Sequence, residues 1–354
     1  MAAYDAVTEV LKMQAAACAA LGSPFSGGLL ERAAEALPSE PSLQAAFAPW
    51  ADAARRTVFD DAAALRWLGA LNEFVLETPD SALAQTYPRH DRPGDAAVAW
   101  PQALAFVRSE AERTAAFMRH EPQTNEPRRS AVLLPGFLEV AAATRLPLRT
   151  LELGASAGLN QLWDRRRYRY GETFAWGPES ARVVIDAEWR GDPPKLDAPA
   201  HVTARGACDR SPVALADPAQ RRRLGAYVWP DQFDRLARFE AAVADALEAG
   251  VTVECEDAVA WTRRHAAPQA GVTTVVFHSV FFQYMPAESQ AALVEVLAAF
   301  GAEARADASL AWLRMEPAPD NPGMMELRLT LWPDGGERVL ATAHPHGAWV
   351  EWRG

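Results

Sequence analysis

At 354 residues the chain is longer than the usual single domain, so a core domain with an appended one is the natural expectation. A formal charge of -11 and an isoelectric point near 5.2 argue against a nonspecific nucleic-acid surface and favour a neutral or cationic small substrate, or a protein, as partner. Cys18, Cys208 and Cys255 are odd in number, far apart and without Cys-x-x-Cys spacing, which speaks against a disulfide framework and a zinc site. Asp5, Glu9 and Lys12 interrupt the N-terminal apolar pattern, and no run reaches the ~20 apolar residues of a membrane span, so a cytoplasmic protein is expected. Oligomeric state leaves no trace in the sequence. Alanine-rich amphipathic segments at 4–21, 27–37, 41–57, 61–77 and 95–120, punctuated by Pro24, Pro38, Pro79, Pro88 and Pro93, predict an all-helical region over 1–125. From 126 to 354 β-branched runs alternate with helical ones. Strands are predicted at 148–153, 201–208, 251–256, 273–280 and 309–315, and helices at 231–249 and 287–300. Such alternation implies right-handed crossovers and a mostly parallel sheet. Met325–Trp332 and Arg338–Ala343, joined by Pro333-Asp334-Gly335-Gly336, read as an antiparallel hairpin. The segment 168–200, rich in Tyr, Trp, Gly and Pro, suits no crossover helix and reads as an insertion.

The most specific segment runs from Thr150 to Asn160: an apolar strand ending in an acid, two glycines four apart, then a helix-compatible stretch with Leu162 and Trp163. Glycine at 154 and 158 permits close approach, so a flat ligand can lie directly on the turn, and a branched side chain at 158 is expected to block it while sparing the fold. The alternative is that these glycines serve packing alone. A dinucleotide fingerprint would place glycines at 154, 156 and 159, where the chain has Gly154, Ser156 and Leu159, so nicotinamide and flavin are disfavoured. The pattern acidic-x-Gly-x-x-x-Gly from Glu152 to Gly158 resembles instead the first motif of class I S-adenosylmethionine-dependent methyltransferases.

In an open parallel sheet ligands sit beyond the carboxyl ends of the strands, where the strand order reverses. The second strand would end at Asp209, whose carboxylate can accept both ribose hydroxyls of an adenosyl ligand, with Asp186 or Glu188 as alternatives inside the insertion. The third would end near Asp257, an acceptor for an adenine amino group. Either aspartate can instead cap a helix. The fourth is apolar enough to be central and breaks at His278-Ser279, where a histidine can polarise a nucleophile, line the pocket or be a hydrogen-bonded core residue.

Words along nearly the whole chain extend the resemblance: Gln14 to Cys18 with Gly22-Ser23-Pro24, Gln123-Thr124-Asn125-Glu126 with Arg129-Ser130, Tyr227-Val228-Trp229-Pro230-Asp231-Gln232, His278-Ser279 with Gln283-Tyr284, Leu313 to Pro317, and His344-Pro345-His346-Gly347. By these the chain is similar to a bacterial family catalogued as a domain of unknown function and similar to class I methyltransferases. The resemblance implies an α/β fold, a Rossmann-like class I methyltransferase sheet closed by an antiparallel C-terminal hairpin, with an α-helical N-terminal cap. It implies S-adenosylmethionine as cofactor and methyl transfer to an unidentified small molecule or protein side chain. Glu152, Gly154, Ala155, Gly158, Asn160, Asp209 and Asp257 would hold the cofactor; His278, Tyr284, Asn125 and Glu126 would face the acceptor. No Asn-Pro-Pro-Tyr follows the fourth strand, which argues against amino-group methylation of adenine or glutamine. Since a sulfonium is already activated, alignment plus a base where needed can suffice.

Other readings compete. One is a non-enzymatic adenosyl-ligand sensor or interaction module on the same fold. Another is an acid/base hydrolase built from Glu126, Asp231 and Glu316. Thr124 to Glu126 with Arg128 and Arg129 can line a junction pocket or simply cap helices, and Tyr227, Trp229, Asp231 and Gln232 can form an aromatic wall or an ordinary helix start. His344 and His346 flank a proline as loop residues do, and no metal is expected.

Overall fold

The computed structural model describes residues 3–172, 174–192 and 199–353. The chain divides into two compact units, Met1–Thr124 with Ala216–Ala237, and Asn125–Leu215 with Arg238–Gly354.

The first unit is helical: α1 (Asp5–Ala20), α2 (Pro24–Ala36), α3 (Pro41–Ala46), α4 (Arg55–Asp60), α5 (Ala63–Glu77), α6 (Ala96–Ser109) and α7 (Ala111–Met118). Prolines at the first position start α2 and α3, where a missing N–H costs nothing, and Asp95 caps α6 through the Ala97 amide at 2.7 Å. The long helix expected at 41–57 breaks around a 3-10 turn at Ala48–Trp50, and the one at 95–120 breaks at Glu110, whose backbone is not helical. Leu11, Leu30, Phe47 and Trp67 form the core. Trp229 packs into that core from the later segment, and Asn72 donates both amide hydrogens to the carbonyls of Ala226 and Val228, each at 2.9 Å.

The second unit opens with α8 (Ser130–Thr144), which no periodicity announced. It is buried from Ser130 through Leu138, so apolar residues occur on every side and the 3.6-residue signal vanishes. Next come β1 (Leu148–Leu153), β2 (Arg167–Tyr170), β3 (Phe174–Trp176), β4 (Val184–Arg190) and β5 (Val202–Asp209). In the first unit α9 (Pro218–Gly225) follows, and then come α10 (Phe233–Glu248), β6 (Glu254–Cys255), α11 (Ala258–His265), β7 (Thr273–Ser279), α12 (Ala287–Glu303), β8 (Leu310–Ala318), β9 (Asn321–Trp332), β10 (Gly336–Ala343) and β11 (Trp349–Trp352). The result is α/β, with one mixed, mostly parallel eleven-stranded sheet in the order β3-β2-β4-β11-β10-β9-β8-β7-β1-β5-β6.

β1 lies inside the sheet, third from one edge, with Leu151 opposite Gly206 on β5 and Val276 on β7, both parallel. The chain builds outward from β1 through β5 to β6 and then returns to β7 and β8 on the other side, so the order reverses between β1 and β7. α11 and α12 cover one face through Leu151, Leu153, Val276, Leu297 and Trp312. α8 covers the other, where Phe137 meets Phe277 edge-on and Gly136 lies under Leu313. β9 and β10 form the expected antiparallel hairpin.

Two expectations need correction, and Asp209, the favoured end of the second strand, lies where it was expected. The segment 168–200, whose residues 173 and 193–198 lie outside those described, supplies β2, β3 and β4 to the sheet. The strand beside β1 is β5, so Asp209 marks its end, while Asp186 sits on β4, which pairs with β2 and β11. No α-helix follows the glycine turn. Leu159–Arg165 is a 3-10 stretch with a break at Leu162, because the Arg166 guanidinium takes the Leu159 carbonyl that an α-helix would offer to residue 163. Among the described residues no helix is long and apolar enough to cross a membrane.

Candidate functional site

The glycine turn is tightly specified by its own backbone. Gly154, Ser156 and Gly158 all adopt positive φ, at 62°, 54° and 72°. The amide of Ala155 donates to the Cys208 carbonyl at 3.1 Å and that of Gly158 to the Ala155 carbonyl at 2.8 Å. The Ser156 amide donates to Asp209 Oδ2, and the Leu159 amide to Asn125 Oδ1, both at 2.8 Å. A Cβ at Gly158 would lie 2.7 Å from Val251 Cγ1 and 3.0 Å from Val253 Cγ2, so the fold itself requires that glycine. At Gly154 a Cβ would lie 2.0 Å from Phe281 Cδ2, which means an aromatic ring of the protein rests on the surface where a flat ligand was expected.

Glu152, next to the end of β1, is 3% exposed and its Oε2 has no hydrogen-bond partner. Burial pushes its carboxyl up to about 8; Arg166 opposes the shift and Asp209 adds to it. Arg166 is wholly buried and meets neutral acceptors: the Pro127 carbonyl and Ser130 Oγ at 2.8 Å each, Asn160 Oδ1 at 3.1 Å, and the Leu159 carbonyl. Burial lowers its pKa. Sequence reasoning missed Arg166, since a run of Asp164, Arg165, Arg166 and Arg167 reads as solvated surface. Glu126 is also buried; its Oε1 accepts from the Arg128 amide at 3.0 Å and faces Arg238 Nε at 3.6 Å. Ala155, Asn160, Asn125 and Asp209 are thus gathered around the turn. Asp209 neither caps a helix nor hangs free, because its second oxygen accepts from the Ser211 amide at 2.8 Å.

His278, expected on the acceptor side together with Asn125 and Glu126, lies elsewhere. Glu152 pairs with Phe277, and side chains alternate along a strand, so His278 points to the opposite face of the sheet. There its ring is fully buried and both nitrogens are engaged: Nε2 accepts from Trp312 Nε1 at 3.0 Å, which leaves Nδ1 to carry the proton and donate to Glu316 Oε1 at 2.6 Å. Glu316 Oε1 also accepts from the amides of Phe281 at 2.9 Å and Phe282 at 3.1 Å. Burial drives the Glu316 carboxyl upward, but these donors outweigh it and hold it below the usual range. Between them Val280, a β-branched residue, is held at φ 53°. Two phenylalanines directly after a central strand were the available clue to this loop. Tyr284 is 72% exposed.

The remaining candidates have local roles. Asp257 Oδ1 caps α11 through the amides of Val259 at 2.9 Å and Ala260 at 3.1 Å. Asp186 forms a two-point ion pair with Arg169 at 2.6 and 2.8 Å. Asp231, in the first unit, accepts from Ser23 Oγ and from the Phe25 amide at 3.0 Å, tying down the start of α2. His344 Nδ1 accepts from the His346 amide at 3.0 Å, and among the described residues no cluster of three His, Cys, Asp or Glu side chains could hold a metal ion.

Fold and site define an α/β protein in which a buried, unpaired carboxyl group lies beside a left-handed glycine turn at the reversal point of the sheet. The chain belongs to the family DUF2332, described as an uncharacterized protein conserved in bacteria, whose model matches residues 8–352. No curated protein and no solved structure matches it.

Proposed function

We propose that the protein binds S-adenosylmethionine at the carboxyl end of β1, on a Rossmann-like methyltransferase sheet, and transfers its methyl group to a small molecule or a protein side chain. Glu152 carries the reading. A buried carboxyl without a hydrogen bond is costly, and a ligand amine would both satisfy Oε2 and favour its ionised form. The other residues fit in part. Each Asp209 oxygen accepts one amide and keeps a lone pair for a ribose hydroxyl. Phe281 must turn off Gly154 before a flat group can take its place.

Bound there, the cofactor supplies an activated methyl carbon, and alignment is the main task left to the chain. Glu152 would hold the ligand's ammonium group, releasing its own proton to solvent, and Asp209 would orient the ribose. His278, with both nitrogens engaged, acts as a positioning residue: it holds Glu316, which holds the amides of Phe281 and Phe282. Tyr284, exposed two residues further on, is the group on this loop free to meet an acceptor.

Calorimetry with S-adenosylhomocysteine tests the reading. Saturable binding, a raised melting temperature and proton release below pH ~8 are expected, with Glu152→Gln weakening affinity roughly ten- to a hundredfold. Binding of NAD instead, or of neither ligand at millimolar concentration, would sink it. The Phe281 ring over Gly154 and the engaged nitrogens of His278 favour a second reading, an adenosyl-ligand-binding module without catalysis. Tight S-adenosylhomocysteine binding with no methyl acceptor found among small molecules and proteins would select it.

A further inference from the structure

The helical unit holds a cavity of about 270 Å³ bounded by Val75, Leu76, Pro79, Val228, Phe233 and Leu236. Its polar lining is two buried side chains and the exposed Arg89, which donates to Gln85 Oε1 at 3.1 Å. Asn72 is 6% exposed, and because both of its amide hydrogens go to the carbonyls of Ala226 and Val228, the assignment of its nitrogen and oxygen is forced. Its Oδ1 is therefore a fixed acceptor, and no donor reaches it among the described residues. Tyr87 is 4% exposed, and its hydroxyl likewise has no partner among the described residues. Apolar walls with a few fixed polar atoms are the general form of a small-molecule site, since the walls supply affinity and the polar atoms orientation. The volume lies just below the usual range for drug-sized ligands, which restricts the occupant to about the size of a bicyclic aromatic.

We infer that this cavity is a second ligand site, for a small, neutral, mostly apolar molecule carrying an N–H or O–H donor that pairs with Asn72 Oδ1. The inference is independent of the adenosyl reading, because every lining residue belongs to the helical unit. The fixed acceptor gives the site a chemical preference: a hydrocarbon of the same shape fills the walls but leaves Oδ1 without a partner, and a ligand with only acceptors meets it lone pair to lone pair.

Indole and indene, nearly equal in shape and differing by N–H against CH₂, are the probes. With the full chain, calorimetry or ligand-observed NMR should show saturable indole binding and indene at least tenfold weaker. Val75→Phe and Leu236→Phe, each placing a ring in the cavity, should abolish indole binding while circular dichroism and melting confirm the fold. Two variants on different helices guard against one failing to fold. The inference is overturned if indole does not bind up to millimolar concentration, if indene binds as tightly as indole, or if indole binds the folded, filled variants as it binds the natural protein.

Discussion

Glu152 shows what a single side chain carries in this fold. Its folded carboxyl titrates near 8 against an ordinary value of 4.5, so between those values the folded state holds a proton that the unfolded chain releases. Stability must therefore fall as pH rises from about 4.5 to about 8 and level off above. A shift of this size is worth on the order of 3 to 5 kcal/mol. Glu152→Gln should remove most of that slope, changing stability by less than about 1 kcal/mol near pH 5 and raising it by roughly 2 to 4 kcal/mol at pH 8.5. Urea titrations at the two pH values check this, and a natural protein whose stability does not decline over the window contradicts the buried, unpaired carboxyl. Asp209 should behave otherwise. It stitches the glycine turn to the end of β5 with one amide on each oxygen, so Asp209→Ala is expected to cost about 2 kcal/mol. Asn at that site can accept only one of those amides and should restore only part of the loss. A full rescue by Asn would mean that one of the two bonds contributes nothing.

At the scale of elements, the turn after β1 and helix α8 explain why the sheet looks as it does. The Arg166 guanidinium claims the carbonyls of Leu159 and Pro127 and the side chains of Ser130 and Asn160, which diverts the chain from a crossover helix into β2 and places α8 against the sheet. α8 then packs without a polar face. Gly136 is its point of closest approach, since a Cβ there would stand 2.5 Å from Leu313 Cδ1. Gly136→Val should destabilise the protein by about 1 to 3 kcal/mol through overpacking, more than a better helix former returns. A thermal shift within error would show that Leu313 can move aside. The loop after β7 is the other element with a distinct prediction. Glu316 holds two of its amides and the ring of His278, so Glu316→Gln should speed hydrogen exchange at Phe281 and Phe282 by about tenfold or more. Unchanged exchange would remove the positioning role assigned to His278.

For the molecule as a whole, the helical unit is discontinuous in sequence. Its core includes Trp229, and Asn72 is anchored by the carbonyls of Ala226 and Val228. A fragment ending at residue 124 exposes that part of the core and leaves the buried Asn72 amide without its acceptors. It should show poor amide dispersion and no cooperative melt. A fragment that melts cooperatively would mean that 216–237 is an accessory and not part of the core.

Period and punctuation carried much of this architecture in the sequence alone. β1 runs over 148–153 as read, β7 and the hairpin of β9 and β10 lie within a few residues of their predicted places, and the first 125 residues are helical, with two of the five expected helices split, because those signals are local: alternation, a 3.6-residue stripe, a proline or a Gly-Gly turn. The glycine turn was legible for the same reason, since positive φ is a property of one residue. What lay beyond the sequence depends on partners distant in the chain. Nothing in the run 164–167 marks Arg166 as the buried one, nothing local tells that Glu152 and His278 face opposite sides of the sheet, and α8 hides its helix because its first nine residues are buried all round. The segment 168–200 joins the sheet only through pairing with β11, more than 150 residues later. Secondary structure is decided mainly by neighbours a few residues away, but burial, register and the pairing of polar groups are decided by whichever residues the fold brings within reach, and those this protein draws from both ends of its chain.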